Sequence, residues 1–161
     1  MIRSAVLDDA KAILDIYNYY ITHSVVTFEE VEISVNEMVQ RIQKVFSLDL
    51  PWLVAEEGGE ILGYAYANAW HARSAYQYSV EISAYLAPSA ISKGLGTKLY
   101  KELFSKLEKT KVHTAIGGIA LPNEASVALH EKFGMHKAAH YKDVGFKFDQ
   151  WIDVGYWQIL I

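Results

Sequence analysis

Ser92-Lys93-Gly94-Leu95-Gly96-Thr97 joins the end of a strand-like segment to the start of the strongest helical pattern in the chain. Two glycines separated by one residue let the backbone come close to a ligand and turn its N–H groups inward. The helix start adds unpaired donors and a partial positive charge. Together they make an anion cradle suited to a pyrophosphate, and Lys93 adds a full charge. The alternative is an ordinary glycine-rich turn. The Gly-Lys-Ser/Thr ending of a nucleotide-triphosphate loop is missing, which argues against a triphosphatase.

Outward from the cradle, the pattern predicts a helix over 94–109. Leu95, Leu99, Leu103 and Leu107 line one face, and Lys98, Glu102, Lys106 and Lys109 face water. Residues 114–121 read as an apolar strand containing glycine. Pro122-Asn123 then opens a short helix to Phe133, with Gly134 as a left-handed cap. Upstream, 78–86 alternates as a strand ending at Pro88, and 52–55 with 61–69 reads as a hairpin around Glu57-Gly58-Gly59-Glu60. Residues 2–7 are strand-like, Asp8 and Asp9 open a helix carrying Ile13, Tyr17 and Tyr20, and Ser34 with Glu37 caps another. That second helix carries an apolar stripe of Val35, Met38, Val39, Ile42, Val45 and Phe46. The stretches 135–141 and 151–161 are strand-rich. The expected fold is α/β, one domain over 1–161, with a mixed, mainly antiparallel central sheet flanked by about four helices.

Composition narrows the function. The chain has 161 residues, 52% hydrophobic and 21% charged, which excludes a disordered chain. Its net charge of −4 argues against nucleic-acid binding, which needs a basic surface. There is no cysteine, so disulfides, thiolate metal sites and a cysteine nucleophile are impossible. Six histidines (His23, His71, His113, His130, His136 and His140) show no pairing with carboxylates of ligand quality, so no metal is expected. No long apolar run and no signal-like start are present, so a cytoplasmic protein without membrane contact is expected.

Glycine cradle, amphipathic helix, apolar strand, then Pro122-Asn123 and a short helix is a specific order. In this order the chain resembles the GNAT superfamily of N-acyltransferases. Gly94, Leu95 and Gly96 match the end of the family signature Gln/Arg-x-x-Gly-x-Gly/Ala, whereas Ile91 stands where the family has Gln or Arg. The stretch Ile119 to Glu131, then Val144-Gly-Phe-Lys-Phe and Trp151-Ile-Asp-Val-Gly-Tyr-Trp157, is similar to the phosphinothricin and methionine-sulfoximine N-acetyltransferase branch over nearly the whole length.

The resemblance implies acetyl-CoA as co-substrate. Ser92, Lys93, Gly94, Leu95, Gly96 and Thr97 would hold its pyrophosphate, and Ala84, Tyr85 and Leu86 would lend backbone groups to the pantetheine arm of the donor. Asn123, Ser126 and His130 lie at i, i+3, i+7, along one helix face. Asn123 reads either as an N-cap or as a groove residue that also caps. Glu81 stands alone in the uncharged stretch Tyr78-Ser-Val-Glu-Ile-Ser-Ala-Tyr. A partly buried carboxylate there has a raised pKa and makes a better base; the alternative is an edge-strand glutamate facing water. The branch places a catalytic glutamate at this point and a histidine at position 130, an acid or base candidate. Phe28, His71, Arg73 and Tyr76 are expected to shape the acceptor site, with Arg73 offering a fork for a carboxylate or phosphinate.

The expected reaction is direct attack by the α-amino group of a small amino acid or analogue, such as phosphinothricin, methionine sulfoximine or methionine sulfone, on the thioester. Relatives are commonly homodimers, so a homodimer is expected. Two other functions fit the donor site: a CoA-binding sensor without turnover, supported by Ile91, and a protein or peptide N-acetyltransferase, which needs an open acceptor groove.

Overall fold

The computed structural model describes residues 1–161. Its elements run β1 (Ile2–Ser4), α1 (Ala10–His23), α2 (Val35–Ser47), β2 (Trp52–Glu57), β3 (Glu60–Ala69), β4 (Ser79–Leu86), α3 (Leu95–Leu107), β5 (Thr114–Leu121), α4 (Glu124–Lys132), β6 (His136–Lys147) and β7 (Gln150–Leu160). All seven strands join one sheet in the order β1-β2-β3-β4-β5-β7-β6. Every neighbour pair is antiparallel except β4 with β5. This is the mixed, mainly antiparallel sheet with four helices that the pattern predicts.

Strand alternation gives the sheet two apolar faces. Leu53, Ala55, Ala65, Ala67, Val80, Ile82, Ala115 and Ile119 point to one side, where Leu99, Leu103 and Leu107 of α3 cover them. Trp52, Val54 and Tyr64 point to the other, under Ile13, Tyr17 and Ile21 of α1 and Met38, Ile42 and Val45 of α2. Each leucine of α3 buried in this way contributes roughly 1.5–3 kcal/mol. In α2 the buried stripe is narrower than its apolar pattern, because Val35 and Phe46 stay exposed.

The predicted strand over 2–7 is cut to β1 by Asp9. Its carboxylate accepts the Val6 N–H at 2.9 Å and two bonds from the Arg3 guanidinium at 2.8 and 2.9 Å. That folds Leu7–Asp9 into a 3-10 turn leading into α1. β6 is longer than its pattern and carries a bulge between Tyr141 and Gly145. Phe148 and Asp149, both at positive φ, make the tight turn into β7. No helix is long and apolar enough to cross a membrane.

Candidate active site

β4 and β5 pair only at Ser79–Thr114, Val80–Ala115 and Glu81–Ile116. Beyond Glu81 they part, although β4 continues to Leu86 and β5 to Leu121. The N–H of Ala87 bonds the Leu62 carbonyl, on the β3 side. Alternation then turns the backbone of Ser83 and Tyr85 toward β3 and that of Ala84 and Leu86 toward the split. The Tyr20 hydroxyl donates to the Leu86 carbonyl at 2.5 Å. Ala84 thus presents its N–H and C=O, and Leu86 its N–H, to the split with no strand opposite, whereas Tyr85 contributes its ring. Of the three backbone donors expected in β4, two face the gap.

A cavity of about 430 Å³ fills the split. Its walls are β4 from Ile82 to Leu86, Gly118 to Ala120 of β5, Ser92 and Gly96 at the start of α3, Tyr100 one turn on, and Asn123, Ser126 and His130 of the α4 segment. Ser92 and Gly94 both have positive φ, 65° and 73°, which curls the loop around the mouth of α3. The first helical bond runs from Lys98 N–H to the Gly94 carbonyl, so the N–H groups of Leu95, Gly96 and Thr97 precede the helical ladder. Lys93, Gly94, Leu95 and Thr97 sit at this mouth, outside the cavity wall itself. Asn123 does cap α4: its Oδ1 accepts the Ser126 N–H at 3.1 Å. Cap and groove wall are the same residue.

His130 is buried against Tyr100. Its Nδ1 lies 2.7 Å from the Ser126 carbonyl and its Nε2 3.1 Å from the Tyr100 hydroxyl. Burial lowers its pKa, partly opposed by the bond to Ser126.

On the opposite face of the sheet lies a second cavity of about 300 Å³, lined by Glu81, Asn68, Tyr66, Ser83, Tyr85, Phe28 and Tyr156 among others. Asn68 pairs with Glu81, and Tyr66 with Ser83, across β3 and β4. Val26, Ser83, Tyr85, Gly118 and Ala120 border both cavities, so chamber and groove communicate at the end of the β4–β5 pairing. Consecutive glycines in β5 make this junction. A Cβ at Gly117 would stand 2.4 Å from His130 Nε2, and one at Gly118 would stand 3.1 Å from the Tyr156 ring and 3.4 Å from Glu81 Oε1. Burial raises the Glu81 pKa, and the charge of His71 partly offsets it. A carboxylate so placed takes a proton near neutrality more readily than an exposed one.

A strap between α1 and α2 closes the chamber. Thr27 accepts a bond from buried Lys147 at its carbonyl, at 2.8 Å, and shares one with the Tyr17 hydroxyl at 2.9 Å. Phe28 lies over Gly145, where a Cβ would meet its ring at 2.4 Å. Glu29, bonded to Tyr17 and gripped by Arg41 at 2.6 and 2.9 Å, secures the strap's far end.

Of the residues expected around the acceptor, Phe28 lines the chamber and His71, Arg73 and Tyr76 do not. After β3 the chain swings outward through a 3-10 turn at Ser74–Tyr76. There His71 packs edge-on to Tyr76 at 4.9 Å and lines a separate surface depression with Trp70 and Tyr156. Arg73 is exposed, with no hydrogen bond or ion pair from its side chain. Tyr66, Asn68, Gly118, Tyr156, Tyr20 and Tyr100 are site residues the sequence reading missed. Only the first two had a usable signal: hairpin and strand alternation place them on the same face as Glu81 once the register is known.

The acetyltransferase (GNAT) domain profile matches residues 2–155. A phosphinothricin N-acetyltransferase of Alcaligenes faecalis is 42% identical over 147 residues, 91% of this chain and 75% of that protein. An L-methionine sulfoximine/L-methionine sulfone acetyltransferase of Salmonella typhimurium is 32% identical, covering 98% of this chain and 92% of that protein. Among solved structures, a phosphinothricin acetyltransferase of Sinorhizobium meliloti in complex with AcCoA superposes with a TM-score of 0.97 at 34% identity, covering 100% of this chain and 88% of that one. A ribosomal-protein-alanine N-acetyltransferase of Brucella melitensis does so with 0.97 at 32%, covering 100% and 99%. The split sheet, the looped mouth of α3 and the match from end to end agree, and the chain belongs to the GNAT acetyltransferase family.

Proposed function

We propose that the protein transfers an acetyl group from acetyl-CoA to the α-amino group of a small amino acid or analogue of the phosphinothricin, methionine sulfoximine or methionine sulfone type. The observation that carries this reading is the junction at Glu81, where the end of the β4–β5 pairing opens the groove on one side and the chamber on the other. The thioester of a donor laid along β4 reaches a carboxylate base at the point where the sheet opens.

Each part of the site has one task. The N–H groups at the mouth of α3 suit the pyrophosphate, and the free amide of Ala84 suits the pantetheine arm. Glu81 takes a proton from the incoming ammonium, leaving a nucleophilic amine. The amine nitrogen attacks the thioester carbon, the C–N bond forms, and the carbonyl oxygen becomes an oxyanion that a strand N–H at the split stabilises. The C–S bond then breaks and the thiolate leaves. Without cysteine, the chain offers no thiol to carry the acyl group, so direct attack is the simplest course.

The chamber, about 300 Å³ and walled by aromatic rings, suits a small acceptor. The likeness to a ribosomal-protein-alanine N-acetyltransferase gives weight to a peptide acceptor as the second reading. The test is release of CoA thiol from acetyl-CoA with a panel of amino acids, the three analogues and an alanine-terminal peptide. Turnover with small amino acids alone supports the first reading, turnover with the peptide alone the second. No amine-dependent release with tight CoA binding points to a sensor.

The same reading includes a cytoplasmic homodimer. Tyr141, Val144, Phe146, Phe148 and Trp151 along β6 and β7 are each more than half exposed, an apolar surface suited to a second copy. Sedimentation at micromolar concentration distinguishes dimer from monomer.

A further inference from the structure

The groove contains a buried pair of groups whose hydrogen bonds determine each other. A carbonyl oxygen only accepts, so the 2.7 Å contact to Ser126 puts a proton on His130 Nδ1. Nε2 of the neutral ring then carries a lone pair, and it lies 3.1 Å from the Tyr100 hydroxyl. Tyr100 is therefore the donor. The ring has no room to turn away: it stands edge-on to Tyr100 at 5.2 Å and closes on Gly117, where any side chain would collide with Nε2. Both residues border the donor groove, on α3 and α4.

We propose that Tyr100 is a positioning residue for acyl transfer: by donating to Nε2 of His130, whose Nδ1–H Ser126 fixes, it holds the ring as a fixed wall of the acyl-donor groove. This rests on the acetyltransferase reading above. In that state His130 has one proton, committed to Ser126, and none on Nε2, which accepts from Tyr100. Burial works in the same direction on both partners, keeping the histidine neutral and the tyrosine protonated. The pair orients the wall against which the thioester lies, and the leaving thiolate draws its proton from the reacting amine or solvent.

The consequence is a separation of two measurements. Nitrogen-15 spectra of histidine-labelled protein at pH 7.5 are expected to show His130 protonated at Nδ1 and bare at Nε2. In Tyr100→Phe the proton is expected to stay on Nδ1, held by Ser126, while the Nε2 resonance shifts with the loss of its hydrogen bond, and calorimetry is expected to show coenzyme A binding about threefold to tenfold weaker at an unchanged far-ultraviolet spectrum. His130→Ala is expected to weaken coenzyme A binding at least tenfold. His130→Gln, which donates to Ser126 and accepts from Tyr100, is expected to recover most of that loss. A wild-type spectrum with the proton on Nε2 overturns the proposal. So does a Tyr100→Phe variant that changes the spectrum without changing affinity, or the affinity without the spectrum. Spectra and calorimetry need no turnover, so an inactive wild type refutes the acetyltransferase reading and leaves this one to its own test.

Discussion

Asn68 and Glu81 face each other across β3 and β4, and Glu81 is also the last residue of β4 to pair with β5. One carboxylate thus marks the place where the sheet stops being continuous. Its surroundings are aromatic rings and the glycine backbone of β5, which explains why burial raises its pKa.

Replacing it with its neutral isostere tests the proposed role as base. Glu81→Gln is expected to lower kcat at least tenfold at neutral pH, with the KM for acetyl-CoA within about twofold of wild type. In the wild type, kcat/KM is expected to fall as pH drops through a pKa above that of an ordinary glutamate, and Glu81→Gln removes that limb. Initial rates between pH 5 and 9 decide it; an unaltered rate removes Glu81 from the chemistry.

The same shift has a consequence for stability. A carboxyl group whose folded pKa lies above its unfolded one stabilises the fold below the unfolded pKa, and that contribution is lost as pH rises through the folded pKa. Glu81→Gln is accordingly expected to melt a few degrees higher than wild type at pH 8, with the advantage vanishing near pH 4. Calorimetric scans at the two pH values provide the comparison.

Asp9 runs the other way. Its hydrogen bonds to Arg3 lower its pKa, and its bond from Val6 adds to this. Such a group stabilises the fold above its unfolded pKa, about 3.9, and loses that contribution as pH falls through the folded value. Asp9→Ala is expected to cost roughly 1.5–3 kcal/mol at pH 7, from the lost charged hydrogen bonds, and progressively less below about pH 4. Urea unfolding across that range measures it.

The two glycines at the head of α3 are expected to behave differently. A Cβ at Gly96 would lie 3.4 Å from Leu129 and 3.9 Å from Leu86, so alanine fits and the branches of valine intrude on the groove. Gly96→Val is expected to weaken acetyl-CoA binding at least tenfold and Gly96→Ala less than threefold. At Gly94 nothing lies within reach, but φ is +73°. Gly94→Ala is expected to cost about 1–2 kcal/mol of stability through the left-handed backbone, with a smaller effect on binding. Calorimetric titration and thermal melts separate the two.

Lys147 tests the strap. Its ammonium bonds the Thr27 carbonyl from a buried position. Lys147→Met leaves that carbonyl unsatisfied, at an expected cost of about 1–3 kcal/mol, and loosens the wall that carries Phe28. The KM of the amine acceptor is expected to rise at least threefold and that of acetyl-CoA to stay within twofold. Steady-state kinetics with each substrate varied in turn checks this.

The sequence by itself determined the elements and their faces. The leucines at 95, 99, 103 and 107 and the alternation through 78–86 report local periodicity, and periodicity fixes which side chains share a face. It also singled out Glu81, Asn123, Ser126 and His130, because a lone charge in a strand and a polar stripe on a helix are visible in one dimension. Only the tertiary structure decided how far β4 and β5 pair, since that pairing joins residues thirty-five apart and leaves no periodic mark. That one event opened the groove. The β3–β4 register put Tyr66 and Asn68 beside Glu81, and the approach of α3 and α4 joined Tyr100 to His130. The tertiary structure also left Arg73 outside the chamber, because the direction of a loop is set by the turn at Ser74–Tyr76 and by what packs beneath it.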